Sequence, residues 1–208
     1  MSTRRAQIDR TTGETRISLK LKIDGKGKAS IDTGIPFFDH MLALYAKHSV
    51  CDLTVKCDGD LDVDLHHTVE DTGIALGQAY WQALSEKRGI RRYGTGFDPR
   101  NPLWGEAFLP MDETLARVVL DLSGRACLVY EVEPSTRYIK ELDVRLFREF
   151  FQALTNNLAL NLHIDVIRGE DVHHVFEGVF KVFARALDCA TSLEPREKGV
   201  PTTKGMLD

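Results

Sequence analysis

The chain has 208 residues, 43% of them hydrophobic, and a formal net charge of -4 from 27 basic and 31 acidic residues. That much apolar material builds one domain or two small packed ones and excludes intrinsic disorder. The interspersed charges exclude a chain-wide electrostatic footprint for nucleic acid or an anionic membrane, and they favour a small-molecule partner. The opening MSTRRAQIDR has no apolar secretory stretch, and no run approaches the roughly 20 apolar residues that span a bilayer, so a cytoplasmic location is expected. Cys51, Cys57, Cys127 and Cys189 form no CxxC pair. They are expected to be reduced and mostly buried.

In chain order, Glu14-Thr15 opens a strand-like stretch, RISLKLKID, and PFFDHMLALYAKHS follows with apolar residues at helical spacing. CDLTVKCD reads as a strand, and His66-His67-Thr-Val-Glu70 opens a second helix through IALGQAYWQAL. Between Tyr93 and Met111 the Gly, Pro and Asn of TGFDPRNPLWGEAFLP predict a loop. The same order then recurs: Glu113-Thr114, the strand-like LARVVLDLS, the helical VRLFREFFQALTNN, the strand-like LALNLHIDVI, and His173-His174-Val-Phe-Glu177 leading into FKVFARALDCA. Glu14 precedes Gly25 by 11 residues, and Glu113 precedes Gly124 by the same 11. An internal duplication accounts for this. The predicted fold is α+β, two similar βα halves, each a mostly antiparallel sheet covered on one face by two helices. The halves span 1–94 and 111–195, with a linker loop at 95–110 and an extended C-terminal tail at 196–208.

The repeated HHxxE string carries the chemistry. Neighbouring residues on a helix point about 100° apart, whereas residues three or four apart share a face. One histidine of each pair therefore meets the glutamate, and the other is free to serve a different ion or partner. Imidazole and carboxylate donors without thiolate suit manganese, iron or zinc in an open site. Four of the seven histidines lie in these two copies, which favours metal ligation over core or surface roles. His40 lies 26 residues before His66, and Glu149 lies 24 before His173, in matching helices, so the two read as counterparts. His163 has Lys56 at its repeat position and is read as an ordinary strand residue. His48 closes the first helix, where the macrodipole favours a cation, and is within reach of the same region.

FFDHML at 37–42, HHTVED at 66–71, LDLSGR at 120–125, HHVFEG at 173–178 and TKG at 203–205 resemble the imidazoleglycerol-phosphate dehydratase family over nearly the whole chain. The resemblance implies trimers assembled into a 24-subunit homo-oligomeric shell, with two manganese ions (Mn2+) per subunit held between subunits. It implies metal ligands at His40, His66, His67, Glu70, His173, His174 and Glu177, and at Glu149 where many members have histidine. It implies dehydration of imidazole glycerol phosphate to imidazole acetol phosphate, without a redox cofactor. Glu14 matches the family's N-terminal glutamate and is the expected base, beside His66, Glu70, His173 and Glu177 in the catalytic centre. Substrate contacts are implied at Glu14, His40 and His48, with the phosphate held by Arg92, Arg125, Lys181, Thr203, where the family usually has serine, and Lys204. Two other readings of the histidine pairs are a non-catalytic metal-binding shell and a dinuclear hydrolase. The first would not need Glu14 or the TTK tail, and the second is disfavoured by the lack of an aspartate-rich ligand pattern.

Overall fold

The computed structural model describes residues 4–95 and 108–207. The first half comprises β1 (Arg5–Thr11), β2 (Thr15–Lys22), β3 (Ala29–Asp32), α1 (Pro36–His48), β4 (Asp52–Gly59) and α2 (His66–Leu84). The second comprises β5 (Tyr93–Thr95), β6 (Phe108–Met111), β7 (Thr114–Asp121), β8 (Cys127–Glu131), the short hairpin β9 (Tyr138–Ile139) and β10 (Leu142–Asp143), then α3 (Leu146–Leu158), β11 (Asn161–Arg168) and α4 (Val172–Thr191). The first sheet runs β1-β2-β4-β3 and the second β6-β7-β11-β8, so the two have the same strand order. In each, only the last pair is parallel, β3 with β4 and β8 with β11. This is the α+β duplication expected from the repeat.

Alternation decides which face of each sheet is covered. Thr15, Ile17, Leu19 and Leu21 of β2 are buried, as are Thr114, Ala116, Val118 and Leu120 of β7, while their neighbours face outward. Helix α1 starts on Pro36, whose fixed φ suits the first helical position. The Asp171 carboxylate caps α4 by accepting from the amides of His173 and His174. Among the described residues, no helix is long and apolar enough to cross a membrane. All four cysteines are free; Cys51, Cys57 and Cys189 are buried, and Cys127 is exposed.

The stretch read as a linker begins and ends in strand. Tyr93–Thr95 pairs with Val119–Asp121 of β7, and Phe108–Met111 pairs with Thr114–Arg117 farther along the same edge. Both flanks satisfy the open hydrogen-bonding edge of β7, a demand that a Gly- and Pro-rich composition does not announce. Strand β5 thus joins the second sheet, although the compositional boundary falls after residue 94. Residues 96–107, the centre of the expected linker, lie outside the described residues.

The helices cover their own sheets and also pack across the duplication, α2 along α3 and α1 along α4. Between them lies a cluster of buried rings: Phe147, Phe150, Phe151, Phe176, Phe180 and Phe183. Phe147 and Phe176 approach to 4.7 Å between centroids, and Tyr45 of α1 stacks on Phe183 of α4 at 5.6 Å. Each such ring contributes about 1.5–3 kcal/mol by leaving water. The buried hydroxyls of Tyr45 and Tyr80 satisfy each other at 2.5 Å.

The α2–α3 contact is close because α2 presents Gly73 and Gly77 to its neighbour. A Cβ on Gly73 would lie 2.5 Å from the Phe150 carbonyl oxygen, and one on Gly77 would lie 2.8 Å from that of Leu154. Alanine at position 73 gains about 1 kcal/mol of helix propensity. The obstructing atoms are backbone, however, and overpacking costs about 1–3 kcal/mol. Gly73→Ala is therefore expected to lower the thermal unfolding midpoint. Gly13→Ala, whose Cβ would meet nothing within 4 Å, should leave that midpoint unchanged.

Candidate metal and anion sites

The packing of α1 on α4 brings His40 from the first half to His173 and Glu177 of the second. Glu177 Oε2 lies 3.2 Å from His173 Nε2 and 3.5 Å from His40 Nε2. Among the described residues, this is the group of three in which one donor atom from each residue lies within 4.8 Å of the others. His173 and Glu177 meet because they are four apart on one helix, and Phe37 braces the His173 ring edge-to-face at 5.1 Å. The other carboxylate oxygen, Oε1, accepts from Lys181 Nζ. Burial pushes the Glu177 carboxyl up, but Lys181, together with His173 and His40, outweighs it and holds the group below its ordinary value. Two imidazole nitrogens and an ionised carboxylate facing a common point fit a divalent ion of the manganese, iron or zinc type.

The equivalent elements of the duplication, α2 and α3, carry the other candidate ligands. His66 Nε2 lies 3.2 Å from Glu70 Oε2, matching the His173–Glu177 pair. Glu149 of α3 lines the same cavity of about 570 Å³ as His66. Its carboxylate is 3.6 Å from Arg148 Nη1 and is not gathered with His66 and Glu70 as His40 is with its pair.

The second histidine of each pair turns away from the first and takes a carboxylate on Nδ1. His67 Nδ1 lies 3.0 Å from Asp60, and His174 Nδ1 lies 2.8 Å from Glu113. Each carboxylate raises the pKa of its histidine. A carboxylate on one ring nitrogen sets the tautomer and turns the other toward an ion, the usual arrangement behind a ligating histidine. Sequence reasoning had assigned no role to Asp60 or Glu113. The repeat offers a signal for Glu113, which stands where Glu14 stands in the first half; nothing comparable marks Asp60.

Those two repeat-equivalent glutamates differ in state. Glu113 accepts from the amides of Asp171 and Glu170 at 3.0 and 3.2 Å. The Asp171 amide first, then His174, pull its carboxyl down to about 2. Glu14 is half-exposed, with Oε1 3.6 Å from His67 Nε2, and among the described residues its carboxylate accepts no hydrogen bond. His48 has its pKa lowered to about 4 by burial, then by Arg185 and Lys181. Burial thus opposes the cationic form that a helix C-terminus favours.

A second region gathers four of the five residues expected to hold phosphate. Arg92, Arg125, Thr203 and Lys204 line a cavity of about 760 Å³ roofed by the C-terminal tail. Arg92 grips Asp121 in a fork, Nε to Oδ1 at 2.7 Å and Nη2 to Oδ2 at 3.0 Å. Its Nη1 donates to the Pro201 carbonyl at 2.9 Å. The Gly89 amide adds a bond to the Gly199 carbonyl at 2.8 Å. The fifth residue, Lys181, lies elsewhere, on Glu177 and 3.6 Å from Met111 Sδ.

Arg92 is thus both a cavity wall and the tether of the tail. A hydrogen bond to a charged group is worth about 1.5–3 kcal/mol. Arg92→Ala should therefore speed tryptic cleavage after Arg196, Lys198 and Lys204 by about 10-fold or more. An unchanged rate would show that the tail is held by other contacts.

The chain is similar to known proteins over nearly its whole length. The family model described as imidazoleglycerol-phosphate dehydratase matches residues 33–187. The chain is 54% identical over 204 residues to the imidazoleglycerol-phosphate dehydratase of Trichlorobacter lovleyi, covering 98% of this chain and 99% of that one. It is 53% identical, with the same coverage, to that of Geobacter sulfurreducens. The crystal structure of the Staphylococcus aureus enzyme superposes with a TM-score of 0.79 at 37% identity, covering 91% of this chain and 99% of that one. The Pyrococcus furiosus enzyme, solved in complex with (S)-C348, gives a TM-score of 0.77 at 32% identity, covering 96% and 100%. From the matching fold and near full-length identity, the chain belongs to the imidazoleglycerol-phosphate dehydratase family and is a dehydratase of histidine biosynthesis.

Proposed function

We propose that the protein eliminates water from D-erythro-imidazole glycerol phosphate to give imidazole acetol phosphate, and that it does so with manganese. The observation that carries this reading is the convergence of His40, His173 and Glu177 on one point, repeated in part by the His66–Glu70 pair. Bound to such donors, manganese supplies Lewis acidity toward the substrate imidazole, which helps the hydroxyl leave and makes the neighbouring C–H acidic.

The chain's own residues perform the remaining tasks. Glu14 is the group suited to take the carbon-bound proton, because among the described residues its carboxylate accepts no hydrogen bond and stands 3.6 Å from His67. Its counterpart Glu113 is committed to two amides and His174 and serves as a fixed partner. Arg92, Arg125, Thr203 and Lys204 provide charge and donors for the phosphate. Lys181 keeps Glu177 ionised and oriented.

The arrangement also favours a homo-oligomer, in the proposed form 24 subunits built from trimers. The rings of His67 and His174 are about 30% exposed, and their Nε2 atoms have carboxylates of the same chain, Glu14 and Asp112, only at 3.6 and 3.7 Å, which leaves room for an ion shared with another copy. The outer face of the second sheet exposes Tyr93, Phe108 and Val119 at 60, 38 and 40%, whereas that of the first carries Arg5, Lys20 and Lys56. Exposed apolar groups on one sheet only suit burial against a second subunit.

Elemental analysis should find about two divalent ions per chain in active protein. If the ions join subunits, chelation should also shrink the particle seen by light scattering. Full activity with far fewer ions, or a large particle unchanged after complete stripping, would contradict the respective claim. Glu14→Gln should lower turnover by roughly 10²-fold while leaving metal content normal, the scale of general-base catalysis. His66→Ala should lose an ion and activity together. Near-normal turnover in Glu14→Gln would move the proton to another acceptor.

A further inference from the structure

The loop that carries Glu14 is fastened to the helix that carries His66, His67 and Glu70. Thr12 Oγ1 accepts from the amides of Glu14 and Thr15 at 3.1 and 3.0 Å, which sets the turn. The Glu14 carbonyl accepts from the Asp60 amide at 3.1 Å, and Asp60 in turn holds His67. From the other side, Thr15 Oγ1 donates to Asp71 Oδ2 at 2.5 Å. Arg10 Nη1 donates to the same oxygen. Thr15 and Asp71 are both buried, at 3 and 7% exposure, so this contact is sheltered from water.

The second half is a natural control. In HHTVED the residue after the glutamate is Asp71; in HHVFEG it is Gly178. Without an aspartate there, the hydroxyl of Thr114, the counterpart of Thr15, donates instead to Glu113 Oε1 at 3.2 Å. Glu113 Oε1 also takes two backbone amides, and the whole carboxylate is bound. In the first half Asp71 takes the threonine hydroxyl, and the Glu14 carboxylate, 3.6 Å from His67, accepts no hydrogen bond among the described residues.

We infer that Asp71 is a positioning residue for Glu14: by engaging Thr15 it holds the loop on α2 and keeps the neighbouring carboxylate free to accept a proton. The divergence of this position between the halves acts beside a second one, Asp60 taking the His67 ring in the first half where Glu113 itself takes that of His174 in the second. The inference rests on Glu14 being the proton acceptor.

The test uses the assembled, manganese-loaded enzyme and the variants Thr15→Val, which keeps the shape but loses the donor, and Thr15→Ser, which restores it. Thr15→Val should lower kcat by roughly 10- to 100-fold, the cost of misplacing a reacting group by about 1 Å. KM and metal content should stay unchanged, and the isotope effect with substrate deuterated at the carbon that loses its proton should rise. Thr15→Ser should return kcat to within about threefold of the parent enzyme, as expected when the hydrogen bond is what matters. In a Glu14→Gln background, Thr15→Val should cause no further loss, because it acts only through Glu14. An undiminished kcat in Thr15→Val, or an equal additional loss in the double variant, overturns the positioning role. Retained turnover in Glu14→Gln alone overturns the base assignment beneath it.

Discussion

The structure depends on the burial of four helices against one another between two sheets. Each βα half has an apolar helical face that its own sheet does not cover, and each half buries that face on the other. The phenylalanines of α3 and α4 fill the space between, with Phe38 and Tyr45 of α1 joining them. Gly73 and Gly77 let α2 approach the backbone of α3. A cavity or an added methyl in this layer would move more than the core, because the candidate ligands stand at the ends of the same helices.

Cross-packing also decides who shares a site. His40 belongs to the first half by sequence, but its partners His173 and Glu177 lie in the second, since α1 rests on α4. Glu149 likewise faces the cavity of His66 across the α2–α3 contact. The three-residue cluster therefore draws on both halves and exists only where they dock.

Duplication supplied two similar frames, and small changes gave them different work. Aspartate against glycine after the HHxxE glutamate redirects one threonine hydroxyl, from Glu113 in one half to Asp71 in the other. Histidine stands at position 40 in the tight three-residue cluster across the α1–α4 contact, and glutamate at its counterpart 149 in the looser group across α2–α3. The tail, whose Pro201 carbonyl accepts from Arg92, lines the candidate anion cavity of the second half.

The sequence by itself determined what depends on local periodicity. Alternation in RISLKLKID and LARVVLDLS set the inward faces of β2 and β7, and four-residue spacing put His66 on Glu70 and His173 on Glu177, because a strand repeats every two residues and a helix brings i and i+4 together. The repeat of those signals was enough for the duplicated fold and for the candidate ligand types. Only the tertiary structure decided which ligands meet, which carboxylates stand behind His67 and His174, that Lys181 attends Glu177 and lies apart from the anion cavity, and that Tyr93–Thr95 joins the second sheet. Each of these is a contact between residues far apart in the chain. Such contacts follow from how whole faces pack and how loops close, and the spacing of residue types along a strand or helix does not encode them.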